Sequence, residues 1–188
     1  AKALQGIAGA KLVACCDVVS EKAEKFAEEF GCDAYTDLAE MLKRDDLDAV
    51  CVCTPSGLHA EVGIQAVKAG KHVMVEKPID VTLEKADALI QAAKEAGVKL
   101  GVISQNRFHD DLQKLKKAVD EGKLGQLNFG GSHTKWYRSQ EYYDSGDWRG
   151  TWELDGGGAI MNQSIHYVDL LQYIMGPVEE IFAYCATR

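Results

Sequence analysis

Short β-branched or apolar runs alternate with amphipathic helical stretches through the first hundred or so residues, and that alternation restricts the chain to βαβ units built on a parallel sheet. The first visible strand is KLVACCD, residues 11–17. Ser20 stands where it can cap the helix EKAEKFAEEF, which stops at Gly31, a residue type that takes the left-handed conformation without a Cβ clash. Thr36 can cap DLAEMLKR, the strand AVCVC follows at 49–53, and a helix over 57–69 ends at Gly70. HVMVE at 72–76, a helix opened by Thr82 and closed by Gly97, and the strand KLGVIS continue the series. The expected fold class is therefore α/β, a Rossmann-type doubly wound parallel sheet.

After Ser104 the pattern changes. A helix over 110–121 ends at Gly122, and LNFGGSHTKWYR then alternates like a strand of a different sheet. Residues 136–153, WYRSQEYYDSGDWRGTWE, hold all three tryptophans and three of the seven tyrosines. That stretch is too polar and glycine-broken for a core element, and such segments usually serve as binding loops or interfaces. A helix over 158–175 stops at Gly176-Pro177, and VEEIFAYCATR reads as a last strand. The domain boundary is placed so that residues 1–106 form the first domain and 107–188 begin a second.

With 188 residues, 46% of them hydrophobic and 27% charged, the chain can bury a core without disulfides or metal. The 29 acidic against 21 basic residues give a net charge of -8, which would repel a phosphate backbone, so no nucleic-acid partner is expected. No apolar run reaches the roughly 18 residues needed to span a bilayer, so no membrane partner is expected either. The six cysteines show no CxxC spacing, which argues for structural thiols, no metal and a cytoplasmic, reducing location. Cys51 and Cys53 share one face of their strand and read as small apolar fillers.

In a dinucleotide-binding fold a glycine-rich turn comes first, and an acidic residue ends the second strand about 20 residues later. Asp17 closes the first visible strand, and that distance counted back falls before residue 1. The expectation is that LVACCD is the second strand and that the first strand and its glycine turn are missing. The absence of a signal peptide in AKALQGIAGAKLVACCD accordingly carries little weight.

Three segments can bear chemistry. CTPSGLHAEV follows a strand and opens a helix, placing Thr54, Pro55 and Ser56 at the carboxyl edge where such sheets bind ligands. Glu76, Lys77 and Pro78 end the next strand at the same edge, and a lysine there can donate to a substrate hydroxyl, its pKa lowered by burial. In DGGGAIMNQSIHYVDLLQYIMG, Asn162, His166 and Asp169 follow at intervals of four and three, so a regular helix would put them on one face. The preceding glycines allow close approach of another backbone or a ligand.

VEKP, QNRF at 105–108, WRGTWELDGGG and the helix with Asn162 and His166 together resemble the glucose-fructose oxidoreductase / inositol dehydrogenase (Gfo/Idh/MocA) family over the whole chain. The aromatic loop resembles that family's UDP-N-acetyl-2-amino-2-deoxyglucuronate dehydrogenase-like branch. The resemblance implies a Rossmann domain over 1–106, followed by an α/β domain with an open, mostly antiparallel sheet, incomplete here, that makes a homodimer or homotetramer. It implies NAD-dependent hydride transfer from a secondary hydroxyl of a sugar, cyclitol or nucleotide sugar. Asp17 would hold the adenosine ribose and favour NAD over NADP. Thr54, Pro55, Ser56 and His59 would line the dinucleotide, with Glu76, Lys77 and Asn106 near the nicotinamide and a cis bond at Lys77-Pro78. Lys77 and His166 would be catalytic, and Arg107, Trp148, Arg149, Asn162 and His166 would bind substrate. Because many relatives carry aspartate where this chain has Asn162, His166 is expected to lack an orienting carboxylate, and weight as the base moves to Lys77. A non-catalytic NAD-binding regulator and an NAD-dependent glycosidase stand as alternatives.

Overall fold

The computed structural model describes residues 1–186, which form two compact units. The first comprises Ala1–Thr54, Leu58–Val75 and Thr82–Gly101; the second comprises Pro55–Gly57, Glu76–Val81 and the described residues from Val102 onward.

Residues 1–102 alternate strands and helices as their sequence pattern requires. After α1 (Lys2–Gln5) come β1 (Ala14–Cys16), α2 (Ser20–Phe30), β2 (Asp33–Tyr35), α3 (Leu38–Leu42), β3 (Ala49–Val52), α4 (His59–Lys68), β4 (His72–Val75), α5 (Leu83–Ala96) and β5 (Leu100–Val102). β1 pairs in parallel with β2, and β3 pairs in parallel with β4, which β5 flanks. The two sheets, β1-β2 and β3-β4-β5, with helices between successive strands, belong to the Rossmann-type α/β class.

Register puts Val50 opposite Val73 and Val52 opposite Val75. All four are buried, because successive side chains of a strand point to opposite faces and these face the helices. Leu89 of α5 is fully buried, with both its methyls close to Gly63 of α4. The alternate positions Cys51 and Met74 are exposed. Cys51 and Cys53 therefore do share a face, but it is the open one; they are not core fillers.

Two caps differ from expectation. Ser20 is the first residue of α2 and its hydroxyl donates to Glu24 at 2.7 Å, while the Val19 amide, one residue earlier, donates to the Asp17 carboxylate at 2.9 Å. Asp37, not Thr36, caps α3 by accepting from the Ala39 amide at 2.8 Å. Thr82 caps α5 as expected, accepting from Lys85 at 3.3 Å.

The second unit contains α6 (Asp110–Asp120), α7 (Gln140–Asp144) and α8 (Ile165–Met175). The expected helix over 158–175 is divided: Ala159–Ser164 is π-helical, the Gly158 carbonyl accepting from both Asn162 and Gln163 at 2.8 and 3.3 Å, and α8 follows. The strands expected over 127–138 and 178–188 are not formed among the described residues; residues 187 and 188 lie outside them. A strand exists only where its backbone groups pair with a neighbour. No backbone hydrogen bond joins either segment to another among the described residues, and Phe129 and Phe182 are left exposed. Among the described residues no helix is long and apolar enough to cross a membrane.

Candidate active site

β4 ends in buried Val75, and the chain turns through Glu76, Lys77 and Pro78, the Lys77-Pro78 bond being cis. The turn brings Lys77 to the π-helical segment. Its Nζ donates to the Asn162 backbone carbonyl at 2.8 Å and to Asn162 Oδ1 at 3.0 Å. Asn162 is itself buried, and its Nδ2 donates to Asp155, a carboxylate only 1% exposed. The second Asp155 oxygen accepts from the Gly150 amide at 2.7 Å.

The glycines ahead of Asn162 make this arrangement possible. Gly156, Gly157 and Gly158 all have positive φ, and a Cβ at Gly157 (φ 95°) would lie 2.6 Å from the Trp152 ring. A second close approach occurs at Gly57, whose amide donates to the Leu154 carbonyl at 3.0 Å; a Cβ there would sit 2.1 Å from the Glu153 carbonyl oxygen.

Burial pushes the Lys77 ammonium below the ordinary lysine range, opposed by the Glu76 and Asp155 carboxylates and assisted by the Arg149 charge. His166, on the first turn of α8, is likewise held low, first by burial and then by the Lys77 charge, against the pull of Asp169 and Glu76. Its ring makes no hydrogen bond among the described residues. No carboxylate is hydrogen-bonded to the His166 ring among the described residues; Asp169, one turn further along α8, and Glu76 act on it only through their charge.

Asp169 is bound in turn by Arg107, whose Nε donates to it at 2.8 Å and whose Nη2 makes a second, shorter bond. The Arg107 guanidinium also stacks over Tyr173 at 4.9 Å. Arg107 is therefore committed to holding its own turn, Gln105–Phe108, against α8. Arg149 stacks over Trp148 and Tyr142 at 4.7 and 4.6 Å and donates to the Tyr142 hydroxyl at 2.9 Å. Arg138 covers the same Tyr142 ring at 5.1 Å, and its Nε is buried without a hydrogen-bond partner among the described residues.

In the first unit, Asp17 directly follows β1, and the Thr54 hydroxyl beyond β3 is buried without a hydrogen-bond partner. The Thr54 carbonyl accepts from Nε2 of buried His59 at 2.9 Å, which fixes the tautomer of that ring. Ser56, in the second unit, is buried on the single turn Ser56–Leu58, and Asn106 is half-buried on the turn that carries Arg107. Pro55 also belongs to the second unit and is half-buried. Lys77, Asn162, His166 and Glu76 are thus brought together, whereas Asp17, Thr54 and His59 belong to the other unit.

Asp155 went unread in the sequence. Its partners lie five and seven residues away across irregular backbone, where no periodicity points to them; the one available signal was an acidic residue immediately before three glycines.

Two family descriptions match: "Oxidoreductase family, NAD-binding Rossmann fold" over residues 1–104 and "GFO/IDH/MocA C-terminal domain" over residues 112–188. The chain is 34% identical to myo-inositol 2-dehydrogenase of Thermotoga maritima, over 97% of this chain and 53% of that protein. It is 32% identical to 2,7-anhydro-N-acetylneuraminate hydratase of Mediterraneibacter gnavus, over 92% of this chain and 44% of that protein. Among solved structures, the WlbA dehydrogenase of Bordetella pertussis, in complex with NADH and UDP-GlcNAcA, is similar at a TM-score of 0.87 and 42% identity, over 95% of this chain and 51% of that one. The chain therefore spans about half the length of the relatives it matches. With both descriptions in register and the same α/β order in the fold, the chain belongs to the GFO/IDH/MocA oxidoreductase family.

Proposed function

We propose that the protein is an NAD-dependent dehydrogenase that removes a hydride from a secondary hydroxyl-bearing carbon of a sugar, cyclitol or nucleotide sugar, with residues 1–106 as its cofactor domain and 107–188 the start of its substrate and oligomerisation domain. The observation that carries this reading is a half-buried lysine, held on a buried asparagine-carboxylate pair, whose charge in turn lowers the basicity of the unbonded His166.

NAD suits the residues present. The partnerless, buried Thr54 hydroxyl lies just past the carboxyl end of β3, where open α/β sheets bind ligands. Asp17, just past β1, offers a carboxylate able to accept from ribose hydroxyls and to repel a 2′-phosphate. His59, Pro55, Ser56, Glu76 and Asn106 complete the proposed cofactor contacts. When bound, NAD supplies the hydride acceptor.

The chain's own residues manage the proton. Two of the three Lys77 ammonium hydrogens are used on Asn162, leaving the third to polarise the substrate hydroxyl. His166, neutral because its protonated form is disfavoured, accepts the hydroxyl proton as the C–H bond breaks. Arg149 and Trp148 are proposed to contact the substrate, and the cationic Arg138 and Arg149 around Tyr142 suit an anionic one such as a nucleotide sugar. The 42% identity to a dehydrogenase crystallised with UDP-GlcNAcA supports that class. Assembly is proposed as a homodimer or homotetramer through the second domain.

The test is turnover by the full-length protein with NAD and a panel of polyols and UDP-sugars, followed by absorbance of the reduced cofactor. Reduction with one substrate class is expected. NAD binding without reduction by any of them would refute the dehydrogenase, and release of free sugar without net reduction would select a glycosidase.

A further inference from the structure

We propose that Asp155 is a positioning residue for Lys77, acting through Asn162. The inference rests on the reading of Lys77 as the group that meets the substrate hydroxyl, and it starts from a property of amides. Asn162 can present either its oxygen or its NH2 group to Lys77, and nothing in its own backbone selects between them. Asp155 makes the selection. Its two oxygens accept from the Gly150 amide and from Asn162 Nδ2, so the NH2 group is claimed and Oδ1 must face Lys77, where it accepts at 3.0 Å. Together with the Asn162 backbone carbonyl at 2.8 Å, that oxygen fixes two of the three Nζ hydrogens and so the direction of the third. The carboxylate is 1% exposed and Asn162 is 9% exposed, which keeps water from substituting for either partner.

Asp155 also acts on Lys77 through its charge. The groups that act on Lys77 are Glu76, Asp155 and Arg149, and Lys77 in turn acts on His166. Removing the Asp155 charge withdraws one of the two carboxylates that sustain the ammonium, so Lys77 titrates at lower pH. In Asp155→Asn, the new side chain can still accept from Gly150. Its NH2 group then meets the NH2 group of Asn162, which must turn over and direct its own hydrogens at Lys77. In the exchanged double variant, Asp155→Asn with Asn162→Asp, every contact is restored. The introduced amide accepts from Gly150 and donates to the introduced carboxylate, and that carboxylate accepts from the amide and from Lys77.

The experiment uses the full-length protein and has two readouts. The first is the pH dependence of Lys77 acylation by acetic anhydride, followed by mass spectrometry. The second is kcat with NAD and the best substrate of the panel. For Asp155→Asn, the Lys77 titration moves to lower pH and kcat falls about 10- to 100-fold, the usual cost of a misaimed group. Assayed at a pH where His166 is unprotonated in both proteins, the double variant recovers to within about threefold of the parent, since its hydrogen-bond pattern is intact. A Lys77 titration that stays in place in Asp155→Asn, or a double variant no better than the single one, overturns the proposal. A purely structural Asp155 would lower stability without moving the Lys77 titration. If the parent reduces no cofactor, the dehydrogenase reading fails, while the acylation curves still decide the role of Asp155.

Discussion

Gly57→Ala tests whether the close approach between the turn after β3 and the segment before Asp155 holds the site together. An added Cβ would lie 2.1 Å from the Glu153 carbonyl oxygen and 3.0 Å from the Leu154 Cα. Carbon-oxygen contacts settle at about 3.3 Å, so one backbone must retreat by roughly 1.2 Å. Both neighbours are main chain, which no rotamer change can clear. The retreat breaks the 3.0 Å bond from the Gly57 amide to the Leu154 carbonyl, worth about 0.5–1.5 kcal/mol. Overpacking adds about 1–3 kcal/mol, and the alanine returns up to about 1 kcal/mol of backbone entropy. The net loss is about 0.5–4.5 kcal/mol. Moving residues 153–154 also moves Asp155, so turnover falls about 100-fold, as expected for a shift near 1 Å. Urea unfolding and steady-state kinetics of the full-length protein are the assays. Gly63→Ala is the control, because its Cβ meets only the Leu89 side chain, nearest at 2.9 Å to Cδ1, which can adjust. A Gly57→Ala variant as stable and active as Gly63→Ala would refute the argument.

Lys77→Ala and His166→Ala each lower kcat at least ~100-fold, the size of an acid-base contribution; near-normal turnover in both removes them from the mechanism. The lowered basicity of His166 places the acid limb of kcat/KM for alcohol oxidation below the ordinary histidine value near 6.5. The corresponding stability contribution has the same sign: the unfolded chain binds the proton more readily, so stability is full above that value and is lost as pH falls. Asp169→Asn removes a charge that raises the His166 pKa and moves that limb further down. It also frees Arg107 at a cost of about 1–2 kcal/mol, which denaturant titration measures. Leu89→Ala, at a fully buried position between α4 and α5, costs about 2–5 kcal/mol by the same titration.

Local rules made most of the first unit legible. Gly31 and Gly97 have φ of 69° and 66°, the left-handed closure that a glycine after an amphipathic run predicts. Thr82 caps α5 because the residues after it already favour helix. Ser20 is not a cap because the helix begins one residue earlier than the sequence pattern indicates, with Val19 at the cap position and the Ser20 hydroxyl spent on Glu24. The pattern AVCVC shows that two faces differ but not which one is covered, so Val50 and Val52 took the core and Cys51 the surface. In the second unit the limit was different. Strands need partners, and neither LNFGGSHTKWYR nor the residues after Pro177 find one among the described residues. Asn162, Lys77 and His166 could be named from the sequence. The carboxylate behind them could not, since the π-helical turn that delivers Asn162 to Asp155 leaves no periodic trace.

The charges around Lys77 and His166 also explain how an asparagine can stand where many relatives are expected to carry aspartate. Lys77 has two oxygen acceptors from Asn162 and the Glu76 and Asp155 carboxylates acting in its favour; all four favour the charged form. That charge is the second-largest influence holding His166 unprotonated. In the proposed mechanism one ammonium therefore does two tasks: it would polarise the hydroxyl, and its charge lowers the basicity of His166. A carboxylate at position 162 would pull both groups toward their protonated forms, and His166 would then need a higher pH to act as a base. With Asn162 the negative charge is moved one residue deeper, to Asp155, where an amide lies between it and Lys77. The orientation a carboxylate would impose on Lys77 is preserved, while its electrostatic effect on the base is weakened.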